Sequence, residues 1–428
     1  MKIAYITAGA AGMYCGSCMH DNTLAAALIA MGHDCVLIPT YTPIRTDERD
    51  VSLNRVFFGG ISIYLEQNSR LFRRMPRWLD RWLSRPGLLR WISRLAVKTR
   101  PEELGDLTLS MLRGMEGHQR LEVERLADWL RREFQPDIIC LTNALLSGMV
   151  PELQRRFGVP ILCTLQGDDI YLDWLPPAHR EQALALIREN SKAFAGYLTT
   201  SHYYADFMAG YLGVPRERTH VVHPGLNLRG FDGAGAGDST GNTTVTIGYL
   251  ARICPEKGLH VLVEALHRLR DLPWRLRVAG YLGDRDRAYW QSVREQVHEQ
   301  GWHDRFEHVG EVDHAGKVAF LQSLDLLSVP TTYREPKGLY LLEAWACGVP
   351  VVQPRHGSFP ELIAATGGGL LVEPENPGAL ADGLRALISD ESQRRKLGQT
   401  GKQKVREHFN AERMAEETLA VFRRYHQQ

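Results

Sequence analysis

Short runs of branched apolar residues alternate with stretches whose apolar positions recur at helical spacing, and they do so in two separate blocks. In the first block Lys2–Thr7 predicts a strand, Asn22–Met31 a helix that stops at Gly32, and Asp34–Pro39 a second strand. Further strands are predicted at Asp137–Thr142, Pro160–Leu165 and Gly196–Ser201, with a helix over Pro151–Phe157. The second block repeats the plan. Strands are predicted at Val245–Leu250, Arg275–Ala279, Phe306–Val309, Leu324–Val329 and Pro350–Gln353, and helices at Gly258–Arg270, Gln291–Gln300 and Leu339–Cys347.

Strand–helix–strand alternation reads as α/β architecture, a parallel sheet with helices on both faces, and here it occurs twice. The expected fold is two Rossmann-like, doubly wound parallel-sheet domains facing a cleft. Residues 1–229 form the first domain, and 244–406 the second. Between them, residues 230–243 are rich in glycine and small polar residues, which predicts a flexible linker. Ligands of such sheets sit outside the carboxyl ends of the strands, so the cleft is the expected site.

One segment breaks the alternation. From Asn68 to Arg100 there are ten basic side chains against one acid, Asp80. Trp78, Leu79, Trp82 and Leu83 form one apolar stripe; Leu88, Trp91, Ile92 and Leu95 form another. Two readings stand side by side: basic amphipathic helices lying on an anionic membrane surface, or a helical excursion packed on its own domain with solvated arginines; a basic RNA-binding helix is a distant third. The whole region of departure spans about 68–133.

Composition narrows the class. The 428 residues carry 51 Lys+Arg against 50 Asp+Glu, so no net positive field exists to hold nucleic acid. No apolar run approaches the ~18 residues that a membrane-spanning helix needs. Seven cysteines include Cys35, Cys140 and Cys163 inside apolar runs, which predicts buried free thiols rather than a disulfide framework. The expected location is cytoplasmic, with the basic segment allowing peripheral attachment to the inner face of the membrane.

Two clusters carry candidate chemistry. In Tyr333-Arg334-Glu335-Pro336-Lys337-Gly338-Leu339, Gly338 opens a helix, and Glu335 and Glu343 stand eight positions apart. An exposed helix N-terminus offers N–H groups and partial positive charge to a phosphate, and glycine there permits close approach. Glu343, just over a turn inside, suits the two hydroxyls of a ribose. The second cluster is Arg252 and Lys257, five residues apart at a strand end and a helix start. Such cations neutralise a departing diphosphate without a metal.

With these residues in view the chain resembles the retaining, nucleotide-sugar-dependent glycosyltransferases of family 4, which have the GT-B fold. Leu250-Ala251-Arg252-Ile253-Cys254-Pro255-Glu256-Lys257-Gly258 is similar to the family's Arg…Lys-Gly motif. Glu335 to Glu343, followed by Ala-x-Ala-x-Gly-x-Pro-Val-Val, resembles its Glu-x7-Glu motif. Val221–Asn227 and Gly357–Glu361 are similar to the family's pre-hinge segment and a late nucleotide-side loop.

The resemblance implies a metal-independent, hexosyltransferase-like enzyme with no cofactor beyond its substrate, a UDP-, GDP- or ADP-linked sugar. The acceptor is implied to be a carbohydrate or a lipid-linked molecule. Arg252 and Lys257 would hold the diphosphate, Glu343 the ribose, Glu335 the transferring sugar, and Gly338 and Leu339 would offer backbone contacts. Gly16, before the helix expected near Asn22, matches the second glycine of the family's N-terminal loop, with Cys15 in place of the first. His20 would touch the acceptor. The C-terminal segment, 407–428, would cross back to the first domain.

At Thr164-Leu165-Gln166-Gly167-Asp168-Asp169 the family commonly carries histidine where Gln166 stands. Glutamine hydrogen-bonds a sugar hydroxyl but shuttles no proton near neutral pH. Reaction on the front face, with the leaving phosphate taking the acceptor's proton, survives that change. Asp168 reads equally as a sugar or acceptor ligand and as a capping or surface carboxylate.

Rival readings remain at this stage. Cys15-Gly16-Ser17-Cys18, with His20 and Asp21 following, invites a zinc or redox reading but lacks the second ligand pair that zinc sites use. Asp284-Arg285-Asp286 precedes a helix and reads as a cap. Gly9, Gly12 and Gly16 do not make the dinucleotide fingerprint, and the second strand ends at Ile38-Pro39-Thr40-Tyr41 without an acid, against an oxidoreductase. A nucleotide-sugar epimerase and a non-catalytic nucleotide-sugar binder stay open.

Overall fold

The computed structural model describes residues 1–9, 15–57, 101–231 and 244–427. The basic segment 68–100 and linker residues 232–243 lie outside them. The chain separates into two compact units. One comprises Met1–Thr200, Tyr204–Val222 and Ala415–Gln428; the other comprises Ser201–Tyr203 and His223–Met414. Residues 223–231 therefore group with the second unit, as do the first four residues of the terminal helix Ala411–His426.

The first unit holds a six-stranded sheet of β1 (Lys2–Thr7), β2 (Asp34–Pro39), β3 (Ile138–Leu141), β4 (Ile161–Leu165), β5 (Gly196–Thr199) and β6 (Thr219–Val221). Its order is β2-β1-β3-β4-β5-β6, every pairing parallel. The second sheet contains β7 (Val245–Leu250), β8 (Trp274–Ala279), β9 (Phe306–Gly310), β10 (Leu326–Leu327), β11 (Val351–Pro354) and β12 (Gly369–Val372), in the order β12-β11-β10-β7-β8-β9, again all parallel. In each sheet strand order reverses beside the first strand, between β1 and β3 and between β7 and β10. Chains leaving such neighbours diverge and open a crevice at their carboxyl ends.

Branched apolar residues drive both sheets. All six residues of β7 are buried, as expected of a parallel strand covered on both faces. The helix Leu339–Ala346 is apolar almost all round and correspondingly buried. Its Trp345 is fully enclosed, with the indole N–H donating to the Gly368 carbonyl at 2.8 Å. All seven cysteines are free; Cys35, Cys140 and Cys163 are buried, and burial pushes the thiols of Cys35 and Cys140 up to about 12. No helix among the described residues is long and apolar enough to cross a membrane.

Candidate active site

The switch point of the second sheet brings a set of polar side chains together. β7 runs into Arg252 and a short 3-10 turn, Pro255–Lys257, and Gly258 then caps the helix Leu259–His267 with φ +71°. A Cβ on Gly258 would lie 1.8 Å from the Pro330 carbonyl oxygen, so only glycine lets the chain leaving β10 pass. The Thr332 N–H donates to the Glu256 carbonyl at 2.9 Å, tying the two loops together.

Across this seam Lys257 Nζ reaches Glu335 Oε2 at 2.7 Å and the Tyr333 hydroxyl at 2.6 Å. The ammonium also lies over two rings, 4.9 Å from the centroid of Tyr333 and 5.1 Å from that of Tyr340. Glu335 Oε1 accepts the N–H groups of Lys337 and Gly338, each at 3.3 Å. The Glu335 backbone is held as well: its carbonyl accepts from Ser358 N–H at 2.8 Å, and Gly357 lies so close that a Cβ there would come 2.6 Å from that oxygen.

Glu335 is 5% exposed, and burial by itself would raise its carboxyl. The Lys257 charge and hydrogen bond, joined by the Tyr333 hydroxyl and Lys337, outweigh burial and hold it at about 2. Glu335 is thus a carboxylate at any physiological pH. Burial, and then the same carboxylate, pushes the Tyr333 phenol well above its ordinary value.

These contacts correct the sequence reading of the helix start. The terminus is not exposed: Lys337 and Gly338 are buried, Gly338 adopts φ +64°, and its N–H goes to Glu335. Leu339, half-buried, is the first residue past that cap. Glu343, like Glu335, is 5% exposed. Its Oε1 meets Lys317 Nζ, 2.5 Å away on the helix His314–Gln322.

The expected diphosphate pair comes together around Tyr333. Lys257 hydrogen-bonds it, and Arg252 stands near enough for mutual charge effects. Among the described residues the Arg252 guanidinium has no hydrogen bond or ion pair. Burial would lower its pKa, but Cys254, Tyr333, Glu256 and Asp286 keep it raised. Asp286 occupies the N-cap position of the helix Arg287–Glu299 without a side-chain cap bond, and Asp284 pairs with Arg287 at 2.9 Å instead. That corrects the expected capping role. No group of three or more metal-ligating side chains occurs among the described residues.

The first unit has its own buried polar network at the carboxyl ends of β1, β3 and β4. The helix expected near Asn22 begins at Gly16, which is its exposed first residue. Its early turns bury His20, Asp21, Asn22 and Thr23. Polar residues there hid the helix from an apolar periodicity. Asp21 Oδ1 accepts from Gln166 Nε2 at 2.9 Å and from Tyr5 at 3.2 Å, and it stands 3.2 Å from His20 Nδ1; Oδ2 accepts from Thr142. Gln166 Nε2 also meets Thr142 Oγ1 at 2.9 Å.

Asp168 is not a surface carboxylate: it is buried, as the first residue of the helix Asp168–Asp173, and joins two loops. Oδ1 accepts Ala144 N–H at 2.6 Å and Oδ2 accepts Gln166 N–H at 3.1 Å, clamping the loops after β3 and β4. Burial pushes its carboxyl up to about 6 against those hydrogen bonds. Of the sequence-derived residues, then, Arg252, Lys257, Glu335, Gly338 and Leu339 gather in one place, with Glu343 a turn further along. Gln166, Asp168 and His20 gather in the other unit. Sequence reasoning missed Tyr340, Lys317 and Thr142, and named Asp21 only beside the cysteine pair. Tyr333 was inside the motif but carried no role.

Residues 22–225 match the glycosyl transferase 4-like domain, and residues 239–404 match glycosyl transferases group 1. The D-inositol 3-phosphate glycosyltransferase of Arthrobacter sp. (strain FB24) is 30% identical over 326 residues, 69% of this chain and 70% of that one. The glycogen synthase of Mycobacterium tuberculosis (strain ATCC 25618 / H37Rv) is 25% identical over 299 residues, 68% of this chain and 69% of that one. Among solved structures, sucrose-phosphate synthase from Thermosynechococcus elongatus superposes with a TM-score of 0.71 at 20% identity, covering 99% of both chains. Anabaena HepE, solved in complex with UDP, gives 0.70 at 16% identity over 99% of this chain and 100% of that one. Two parallel sheets of this order, a Glu-x7-Glu helix and this extent of similarity lead to one family: the chain belongs to the family 4 glycosyltransferases of GT-B fold.

Proposed function

We propose that this glycosyltransferase moves a sugar from a nucleoside-diphosphate sugar to an acceptor hydroxyl, without a metal and with the anomeric configuration retained. The observation that carries the reading is the Lys257–Glu335 pair beside Gly338 at the β7/β10 switch point. An ammonium has three N–H donors, and Lys257 commits two of them, to Tyr333 and Glu335. The third serves a diphosphate oxygen, with Arg252 as the second cation. HepE, solved with UDP and with UDP-glucose, supports a diphosphate donor of this kind.

In this reading Glu335, kept ionised, accepts hydrogen bonds from hydroxyls of the transferring sugar, and Glu343 accepts those of the ribose. Leu339 adds a backbone contact at the helix start. The bond from the anomeric carbon to the phosphate oxygen breaks with its electron pair leaving on the diphosphate. The acceptor oxygen bonds to the same face, and its proton passes to the leaving phosphate. Gln166 takes no proton; it orients Asp21 and Thr142 in the first unit, where His20 meets the acceptor.

The test is a thermal-shift screen of UDP-, GDP- and ADP-linked sugars with EDTA present, followed by NMR of the anomeric proton in the product. A stabilising donor, turnover in EDTA and retained configuration are expected. Inversion, or turnover only after a divalent cation is restored, overturns the corresponding part. Scrambling of the donor sugar without any acceptor points to an epimerase instead.

A further inference from the structure

We propose that Lys317 is a positioning residue for Glu343, directing its carboxylate at the ribose of the donor and so setting the preference for ribose over 2′-deoxyribose. The inference rests on the donor reading above and adds a residue that no motif contains. Lys317 Nζ lies 2.5 Å from Glu343 Oε1, and the two side chains are 10% and 7% exposed.

The placement of Lys317 argues against a role in helix stability. It sits in the first turn of His314–Gln322, where the partial positive charge of the helix end disfavours a cation. The turn is nonetheless fixed: Asp313 caps it by accepting Gly316 N–H at 2.8 Å, and the Lys317 N–H bonds to the Asp313 carbonyl at 2.8 Å. A capped turn therefore carries an ammonium, against the local electrostatics, to a carboxylate on another helix.

Glu343 is the counterpart. Its neighbours Tyr340, Leu341, Leu342, Ala344, Trp345 and Ala346 are all buried and apolar or aromatic. An ionised carboxylate in that setting needs a partner. A buried ion pair is seldom a net source of stability, because well-packed apolar residues of similar volume do as well. What the pair supplies instead is direction. A lysine ammonium is a compact point donor, and pinning Oε1 sets where Oε2 points. A carboxylate aimed in this way accepts from a ribose diol, and a site built for a hydroxyl discriminates against the ligand lacking it.

Lysine is specifically required on this account. Arginine would keep the charge, but its planar fork engages both carboxylate oxygens and takes the acceptor that the ribose needs. A mere counter-charge would be served equally well by arginine.

The experiment is calorimetric titration of the full chain with UDP, GDP and ADP, and of the best binder's 2′-deoxy analogue. Wild type, Lys317→Arg, Lys317→Gln and Glu343→Gln are compared, with melting curves to confirm folding. Wild type is expected to favour the ribose form by about tenfold or more. In all three variants that ratio falls to about threefold or less, while the diphosphate still binds. A wild-type ratio in Lys317→Arg overturns the proposal, as does loss of folding in both Lys317 variants, which would mark the pair as structural. Equal binding of both forms by wild type removes the ribose role of Glu343 and the inference with it, leaving the diphosphate site standing. If wild type binds none of the three nucleotides, the donor reading itself fails.

Discussion

Lys257 Nζ stands 2.7 Å from Glu335 Oε2, joining the loop after β7 to the loop after β10 across 78 positions of sequence. One ammonium thus neutralises a buried carboxylate and touches Tyr333, and the proposed mechanism assigns its third N–H to a phosphate. Removing it has two separable consequences. Lys257→Ala should abolish most nucleoside-diphosphate binding in calorimetry. It should also destabilise the fold by roughly 3–5 kcal/mol, because Glu335 stays buried without its partner. Lys257→Met combined with Glu335→Gln should recover much of the stability and none of the binding. Near-normal binding in Lys257→Ala would reject the assignment.

The same pair leaves a mark on acid stability. The Glu335 carboxyl lies at about 2 in the folded chain, below its ordinary 4.5. A depressed carboxyl contributes stability that is fully present above the unfolded value and is lost as pH falls through the folded one. Urea midpoints for wild type should therefore drop between about pH 4.5 and pH 2. In Lys257→Ala this component should disappear, so the gap between the two proteins narrows as pH falls. A gap that stays constant over that window would show that Lys257 does not hold Glu335 ionised.

Glu335 and Lys257 also predict different kinetic signatures. Glu335→Gln keeps the side-chain shape and removes the charge that the proposed mechanism sets against the transferring sugar. It should lower kcat by about a hundredfold or more, the size seen when one preorganised electrostatic contact is lost. The donor dissociation constant should move by less than about tenfold. A large loss of donor affinity at near-normal kcat would assign Glu335 to ground-state binding instead.

Much of this arrangement was visible in the chain, and the exceptions have physical causes. β1, β2 and β7 begin and end where their apolar runs do, because strands buried on both faces need continuous branched residues. β10 is shorter than its run: Leu324 packs against Gly248 of β7 rather than joining the ladder, and only Leu326–Leu327 pair. Gly338 announced the helix Leu339–Ala346 because a left-handed residue was needed at its start. The Glu335 cap was hidden, since the side chain's turn back to Gly338 N–H depends on Gly357 and Ser358 pinning its backbone from β11. Lys317 was hidden more deeply. Alone, a lysine in a helix's first turn reads as solvated, and only tertiary packing brings it to Glu343.

Asp168 supplies a prediction of opposite sign to Glu335. Burial raises its carboxyl from 3.8 to about 6, so between those values the folded chain holds a proton that the unfolded chain has lost. Stability from this group is greatest at low pH and falls as pH rises through the window, by on the order of 3 kcal/mol in all. Asp168→Asn cannot ionise, but its amide turns an N–H toward one of the two backbone donors, Ala144 or Gln166. The variant should therefore be less stable than wild type near pH 4 and lose part of that deficit by pH 7. Chemical denaturation at pH 4, 5, 6 and 7 reads the difference directly. A deficit that widens with pH would mean that the Asp168 carboxylate is stabilised where it sits, and that the clamp works in its ionised form.

Gln166 offers the corresponding test in the first unit, where its amide donates to Asp21 and Thr142. Gln166→Leu fills the same space but strips a donor from a carboxylate that is fully buried. Leaving such a group short of a hydrogen bond costs about 1–3 kcal/mol, so the melting temperature should fall measurably. Pairing the change with Asp21→Asn should be less than additive, because the two residues share the bond being removed. Donor binding should stay at the wild-type level, since Arg252, Lys257 and Glu335 belong to the other unit. Additive losses in the double variant would show that Gln166 and Asp21 act independently, which would overturn the role in orienting the acceptor side proposed for the network.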